Sequence, residues 1–324
     1  MQVTSPLSPG LLASALTAPR LIAIDMDGTL LGAAATVSPR NLAALRAAER
    51  SGAEVVIATG RRHCYAMKVL RDLDLDPAAA LISSNGTVIR TIGSDLLHRT
   101  FLPSSTARWL CDHLADFRNT LVLTFDSVGP DGEDARGALV VEHLDSLHSS
   151  VGGWMRANEP YIAHVERLEH ALEGDAPIQM MVCGPVAHMR RAEARLLEHE
   201  GVFAAGVTPL DRIHTAEVAI HRTEYPDRDL CIVDILPAGC SKGSAVLRHA
   251  AARGVDASEI LAIGDNWNDV SMLEIAGHAV VMANAPADLK SMATARGWTI
   301  GPSNDEDGVA AAIESALSLE VAIL

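Results

Sequence analysis

Five stretches of the chain are runs of apolar residues that stop at a polar residue or a glycine: RLIAID (20–25), EVVIATG (54–60), ALISSNG (80–86), EILAIGD (259–265) and AVVMANA (279–285). Continuous rather than alternating apolarity is what a strand covered on both faces requires, so these stretches predict a buried parallel sheet. Helix-length amphipathic pieces lie between them. SPRNLAALRAAERSG predicts a helix with Ser38 as N-cap and Pro39 at its first position, ending at Gly52. Strand, helix, strand in this order gives right-handed crossovers and a doubly wound α/β sheet.

The rhythm breaks after residue 90 and resumes near 240. In between, LVLTFD, GALVVEHL, PIQMMVCG and CIVDILP read as strands, and VAHMRRAEARLLEHEG (186–201) is the clearest helix. This predicts a second α/β domain inserted into the first. The expected division is an N-terminal extension at 1–19, a core at 20–89 and 238–324, and an inserted domain at 90–237.

Length and composition narrow the function. A chain of 324 residues exceeds the usual size of a single core. A net charge of -15 and only 3% aromatic residues argue against a nucleic-acid partner, which needs a basic face or a stacking platform. An anionic substrate would have to be held locally. No apolar run approaches the roughly 20 residues needed to cross a bilayer, so no membrane partner is expected. The five cysteines form no C-x-x-C pair, which fits a reduced, cytoplasmic setting. The apolar patch at 10–18 lacks a preceding basic residue and is read as part of the extension, not as a secretory signal.

In an open α/β sheet, ligands collect at the carboxyl ends of the strands. Asp25 and Asp27 follow the first run, Thr59 the second, Ser83, Ser84 and Asn85 the third, and GDNWND (264–269) the fourth. These ends should converge. Asp25, Asp27, Asp265 and Asp269 would then place four carboxylates in one crevice with no neighbouring histidine or cysteine, a donor set suited to Mg²⁺. Mg²⁺ bound through a few carboxylates points in turn to phosphoryl chemistry. Lys242, Thr59 and main-chain N–H groups after Asp25 could hold the phosphoryl oxygens. One aspartate would attack phosphorus and another move a proton. Taken singly, Thr59 reads equally as a helix N-cap and Lys242 as a surface lysine.

With these residues in order, the chain resembles the haloacid dehalogenase-like (HAD) superfamily, specifically its Cof-type (class IIB) phosphatases. The resemblance is carried by DMDGTLL, Thr59 in VVIATGR, Lys242 in SKGSAV and GDNWNDVSML, and extends to SSNGT, DILPAGCSKG, VVMANAP and SNDEDGVAAAI. It implies a Rossmann-like core with a mobile α/β cap. It also implies that Asp25 is the nucleophile forming an aspartyl-phosphate and that Asp27 is the general acid and base. Mg²⁺ would be bound by Asp25, the main-chain carbonyl of Asp27 and Asp265, with Asp269 a ligand or a support. Phosphate would contact the main chain of Met26, then Thr59, Gly60, Lys242 and Asn268. Ion-pumping relatives carry threonine two residues after the nucleophile, whereas Asp27 can deprotonate water, so hydrolysis is expected.

The cap would exclude water and contact the substrate beyond its phosphate. Its histidines His143, His148, His164 and His170 read as solvated residues, Trp154 as a packing residue, and Arg156 and Arg222 as candidate anion clamps. The expected function is a Mg²⁺-dependent phosphomonoester hydrolase for a small metabolite such as a sugar phosphate, in a monomer or homodimer. The alternatives are a phosphohexomutase and a catalytically silent sensor of a phosphorylated ligand.

Overall fold

The computed structural model describes residues 18–128, 133–142, 151–204, 207–208 and 214–321. His143 and His148, and residues 1–17 of the expected extension, lie outside the described residues. The first strands are β1 (Leu21–Asp25), β2 (Glu54–Ala58), β3 (Ala80–Ser83), β4 (Val88–Thr91) and β5 (Leu96–Arg99). Then follow β6 (Leu121–Thr124), β7 (Leu139–Val141), β8 (Ile162–His164), β9 (Gln179–Gly184), β10 (Val202–Ala204), β11 (Val218–Tyr225) and β12 (Leu230–Pro237). The chain ends with β13 (Ile260–Gly264), β14 (His278–Val281) and β15 (Thr299–Ile300).

Two sheets result. The larger has the order β15-β14-β13-β1-β2-β3-β4-β5, and its pairs from β15 to β3 are all parallel. Both faces of β1 are covered, which accounts for its unbroken apolarity. Ile22 and Ile24 pack with Leu45 of the helix Pro39–Arg50 and Ile313 of the helix Gly308–Val321. Leu21 and Ala23 face the other way, toward Val246 of the helix Lys242–Ala252 and Met272 of Val270–Ile275. Burying one such aliphatic side chain contributes about 1.5–3 kcal/mol. Ser38 caps the first helix as expected, its Oγ accepting from the Asn41 N–H at 3.0 Å.

The seven-stranded sheet runs β10-β11-β12-β9-β6-β7-β8 and is largely antiparallel. Its four expected strands are β6, β7, β9 and β12, and its helix spans Val186–Leu197. Two features depart from the sequence reading. Residue 90 falls inside β4, and β4 and β5 continue the larger sheet as an antiparallel extension. Leu96 and Leu97 of β5 are exposed, so this segment lacks the pattern of a doubly covered strand. Lys242, which taken singly reads as a surface lysine, is buried as the first residue of the helix Lys242–Ala252. All five cysteines are buried and unpaired. No described helix is long and apolar enough to cross a membrane.

Candidate active site

From β1 the chain moves sideways to β2 and β3, and it returns on the other flank through β13, β14 and β15. The order therefore reverses between β1 and β13, and a crevice opens at their carboxyl ends. Asp25 is the last residue of β1, and Asp265 follows directly on β13. The parallel register, Ile24 beside Ile263, brings the two together.

Lys242 supplies the central positive charge. Fully buried, its Nζ donates to Asp25 Oδ1 at 2.5 Å and to Asp269 Oδ1 at 2.7 Å. The other oxygen of Asp269 accepts from the main-chain N–H groups of Asp265 and Asn266, both at 2.9 Å, which fixes the loop after β13. Asp265 is held by the Thr29 hydroxyl at 2.8 Å, with the Asn284 amide at 3.5 Å. Glycine is needed beneath it. Gly28 has φ +81°, and a Cβ there would stand 2.5 Å from Asp265 Oδ2.

Charge in this pocket is unbalanced. Asp25, Asp265 and Asp269 each offer a carboxylate oxygen within 4.8 Å of the others, and one ammonium faces them. Burial, reinforced by Asp269 and offset in part by Lys242, pushes Asp25 up to about 7. Burial and the Asp25 charge push Asp265 well above the usual carboxylate range. The same carboxylates outweigh burial at Lys242 and hold its ammonium above the ordinary lysine value. An all-oxygen donor set with surplus negative charge fits a hard divalent cation such as Mg²⁺.

Asp27 does not join this group. Its carboxylate turns to Arg61, which donates through Nε at 2.7 Å and through Nη2, a two-point pair at the cavity wall. Three of the four expected carboxylates thus converge, because a guanidinium from the turn after β2 takes the fourth. Thr59 is buried, and its Oγ1 accepts from the Arg61 N–H at 3.1 Å. The Met26 side chain belongs to the core, leaving only its main chain for ligand contact. Gly60 and Asn268 line the cavity.

That cavity, of about 410 Å³, lies between the two sheets. Asp25, Asp27, Gly60, Asn266 and Asn268 form its floor, and Trp154, Gln179, Thr223, Tyr225 and Asp234 belong to its roof. Neither Arg156, Arg222, His164 nor His170 reaches it. Arg222 instead pairs with Glu193 at 2.6 Å and Glu224 at 3.2 Å, both carried by the inserted domain. Sequence reasoning missed Arg61, whose signal was its place directly after Thr59-Gly60, and gave no role to Asn284 in VVMANAP. It also missed the link from Asn268 Nδ2 to Asn85 Oδ1 at 3.1 Å and from Asn85 Nδ2 to Asp234 Oδ2 at 2.8 Å. Asn85 sits at φ +51° beside Ser84 at +49°, a strained pair that aims the amide into the site.

The family described as haloacid dehalogenase-like hydrolase matches residues 22–313. The chain is 29% identical over 311 residues to the 5-amino-6-(5-phospho-D-ribitylamino)uracil phosphatase YwtE of Bacillus subtilis, covering 92% of this chain and 98% of that protein. It is 32% identical over 302 residues to the phosphatase YwpJ of the same organism, covering 90% and 97%. A solved haloacid dehalogenase-like hydrolase from B. subtilis superposes with a TM-score of 0.70 at 25% identity, covering 91% of this chain and 99% of that one. Matched almost end to end, and with its acidic crevice at the switch of a doubly wound sheet, the chain belongs to the haloacid dehalogenase-like hydrolases as a Cof-type phosphatase.

Proposed function

We propose that this phosphatase is a Mg²⁺-dependent phosphomonoester hydrolase that works through an aspartyl-phosphate on Asp25. The observation that carries the reading is the placement of Asp25: a buried carboxylate at the cavity floor, fixed by Lys242, with Asp27 lining the same floor. Asp25 and Asp265 would hold the cation with the Asp27 main-chain carbonyl, and Asp269 would support the loop that carries Asp265. The bound cation would supply charge neutralisation, drawing the phosphate dianion toward a negative nucleophile.

The remaining work belongs to the chain's own groups. Lys242 fixes the Asp25 carboxylate for in-line attack, so little reorientation is left to the reaction step. Thr59, Gly60, Asn268 and the main chain at Met26 would cradle the phosphoryl oxygens. As the Asp25 oxygen bonds to phosphorus, the ester oxygen departs and takes a proton from Asp27. The Asp27 carboxylate then removes a proton from water, which attacks phosphorus and releases inorganic phosphate and free Asp25. Arg61 holds that carboxylate before substrate arrives; an incoming phosphate dianion would compete for the guanidinium, and the released Asp27 would take up from solvent the proton it gives to the ester oxygen.

Support for a small-metabolite substrate comes from the cavity volume of about 410 Å³ and from the relatives. YwtE is named for a ribitylamino-uracil phosphate, and another relative, 29% identical, is a pyridoxal phosphate phosphatase of Escherichia coli. The test is phosphate release from a panel of phosphorylated metabolites, with Mg²⁺ and with chelator, for the wild type and Asp25→Asn. Metal-dependent release abolished by the substitution is expected. Normal turnover by Asp25→Asn would overturn the mechanism.

A further inference from the structure

Strand alternation gives the cap sheet two different faces. Met180 and Val182 of β9 and Val233 and Ile235 of β12 turn into the cap's own core, while Gln179, Met181, Ile232 and Asp234 turn to the cavity. Asp234 stands opposite Met181 in the antiparallel register, so Gln179, two residues earlier on the same face, is its diagonal neighbour. Both side chains are nearly inaccessible, Gln179 at 3% and Asp234 at 6%.

Neither is fully engaged. Gln179 Oε1 has no hydrogen-bond partner among the described residues. Among the described residues Asp234 is bonded through Oδ2, to the Asn85 amide, and Asn85 in turn ties it to Asn268 at the phosphate end of the cavity. Buried acceptors are rarely left without donors, so the unpartnered Gln179 Oε1, with Asp234 beside it, calls for a donor from the ligand. The cations nearby point the same way. Of the three arginines lining the cavity, Arg61 pairs with Asp27, Arg62 pairs with Asp134 through Nε while its Nη2 has no hydrogen-bond partner among the described residues, and Arg228 is exposed at the rim beside Tyr225. The buried part of the roof therefore offers acceptors and no unpaired cation among the described residues.

We propose that Gln179 and Asp234 form the leaving-group subsite, taking hydrogen bonds from hydroxyl or N–H groups of an uncharged leaving group and disfavouring one that carries a second anion. The inference rests on the phosphomonoesterase reading above. Trp154 and Tyr225 add apolar wall to the same cavity, which suits a polyol or a small ring bearing several donors. A second phosphate or a carboxylate would meet Asp234 before it met an unpaired guanidinium, Arg228 standing out at the rim, so the subsite ranks a bisphosphate below a monoester.

The test compares glucose 6-phosphate, ribitol 5-phosphate, n-hexyl phosphate and fructose 1,6-bisphosphate on the full chain with Mg²⁺, for the wild type, Gln179→Met and Asp234→Asn. The wild type should favour at least one of the two donor-rich monoesters over hexyl phosphate, with the bisphosphate poorest. Gln179→Met should lower that preference in kcat/KM by about tenfold, chiefly through KM. It removes an unpaired amide without loss of volume, so an unchanged or higher melting temperature should accompany the change. Asp234→Asn should narrow the penalty against the bisphosphate.

A second arm reads binding without turnover: the donor-rich monoester should raise the melting temperature of the Asp25→Asn protein, and less so once Gln179→Met is added. A preference for hexyl phosphate or the bisphosphate, or a ratio and a thermal shift indifferent to Gln179→Met, would overturn the subsite while Asp25-dependent release still upheld the hydrolase. Turnover that survives Asp25→Asn would sink the hydrolase mechanism, and the thermal shifts would still decide the subsite.

Discussion

The Lys242 ammonium and the Asp269 carboxylate lie 2.7 Å apart with neither side chain open to solvent. Lys242→Met would leave Asp25, Asp265 and Asp269 facing one another with no cation from the chain. Removing one partner of a buried ion pair costs about 3–5 kcal/mol. We expect a loss of that order in denaturant unfolding of the metal-free protein, together with abolished phosphate release. Mg²⁺ should restore part of the lost stability and none of the activity.

Asp27→Asn should keep the fold and slow turnover by about 10²–10⁴-fold, the usual weight of general acid–base catalysis. The second proton transfer should suffer with the first, because water loses its base. Acid-quenched protein incubated with a labelled phosphomonoester should then retain covalent phosphate, and loss of that label in Asp25→Asn/Asp27→Asn would assign it to Asp25.

Gly28→Ala strikes the Asp265 end of the site through the backbone. The added methyl would stand 2.5 Å from Asp265 Oδ2 at a residue with φ +81°. Strain at such a position costs about 1–3 kcal/mol. Chemical denaturation should register that cost, and calorimetric titration with Mg²⁺ should show weakened affinity.

His63 gives the fold a pH dependence away from the Asp25, Asp265 and Asp269 carboxylates. Burial, aided by Arg90 and opposed by Asp126 and Asp134, lowers its imidazole from 6.5 to about 4. The unfolded chain takes up this proton near 6.5 and the folded one only near 4. Its contribution is therefore complete above 6.5, declines as pH falls to 4 and is flat below. A shift of that size corresponds to roughly 3 kcal/mol. In His63→Gln that component should vanish, so the stability difference between wild type and variant should slope between pH 6.5 and 4 and level outside that window.

The segment after β6 is tied to the core by buried ion pairs. Asp126 accepts from Arg90 and Arg99, both at 2.8 Å, and Asp134 accepts from Arg62 at 2.5 Å. Asp126→Asn should loosen the hold of this segment on the core, raising KM several-fold with a smaller effect on kcat, and small-angle scattering should show a larger radius of gyration.

What the sequence revealed followed burial. β1, β2, β3, β13 and β14 are covered on both faces, so each stood out as an apolar run, and the polar residues at their ends marked the crevice. β11 escaped notice because VAIHRTEY mixes the buried His221 with Thr223, which lines the cavity, and with Arg222 and Glu224, which enter ion pairs. The position of the Asp27 carboxylate was equally hidden. It depends on Arg61 approaching from another strand end, a relation that spacing does not carry. Gln179 was legible as part of a strand, but an unpaired acceptor can be recognised only when its surroundings are known.

The central seam of the larger sheet joins Leu21 to Ile260, with the whole cap encoded between them. On the ribosome, β1 can pair with β2 early, but its other edge has no partner until more than two hundred further residues have been made. At about 5–20 residues per second this wait lasts on the order of ten seconds or more. The nascent half-sheet is thus an open edge during most of translation, while the cap, whose strands pair among themselves, can assemble first. Synthesis rate and chaperone supply then bear on the yield of active enzyme, and slow codons placed after the cap would lengthen the exposure of β1.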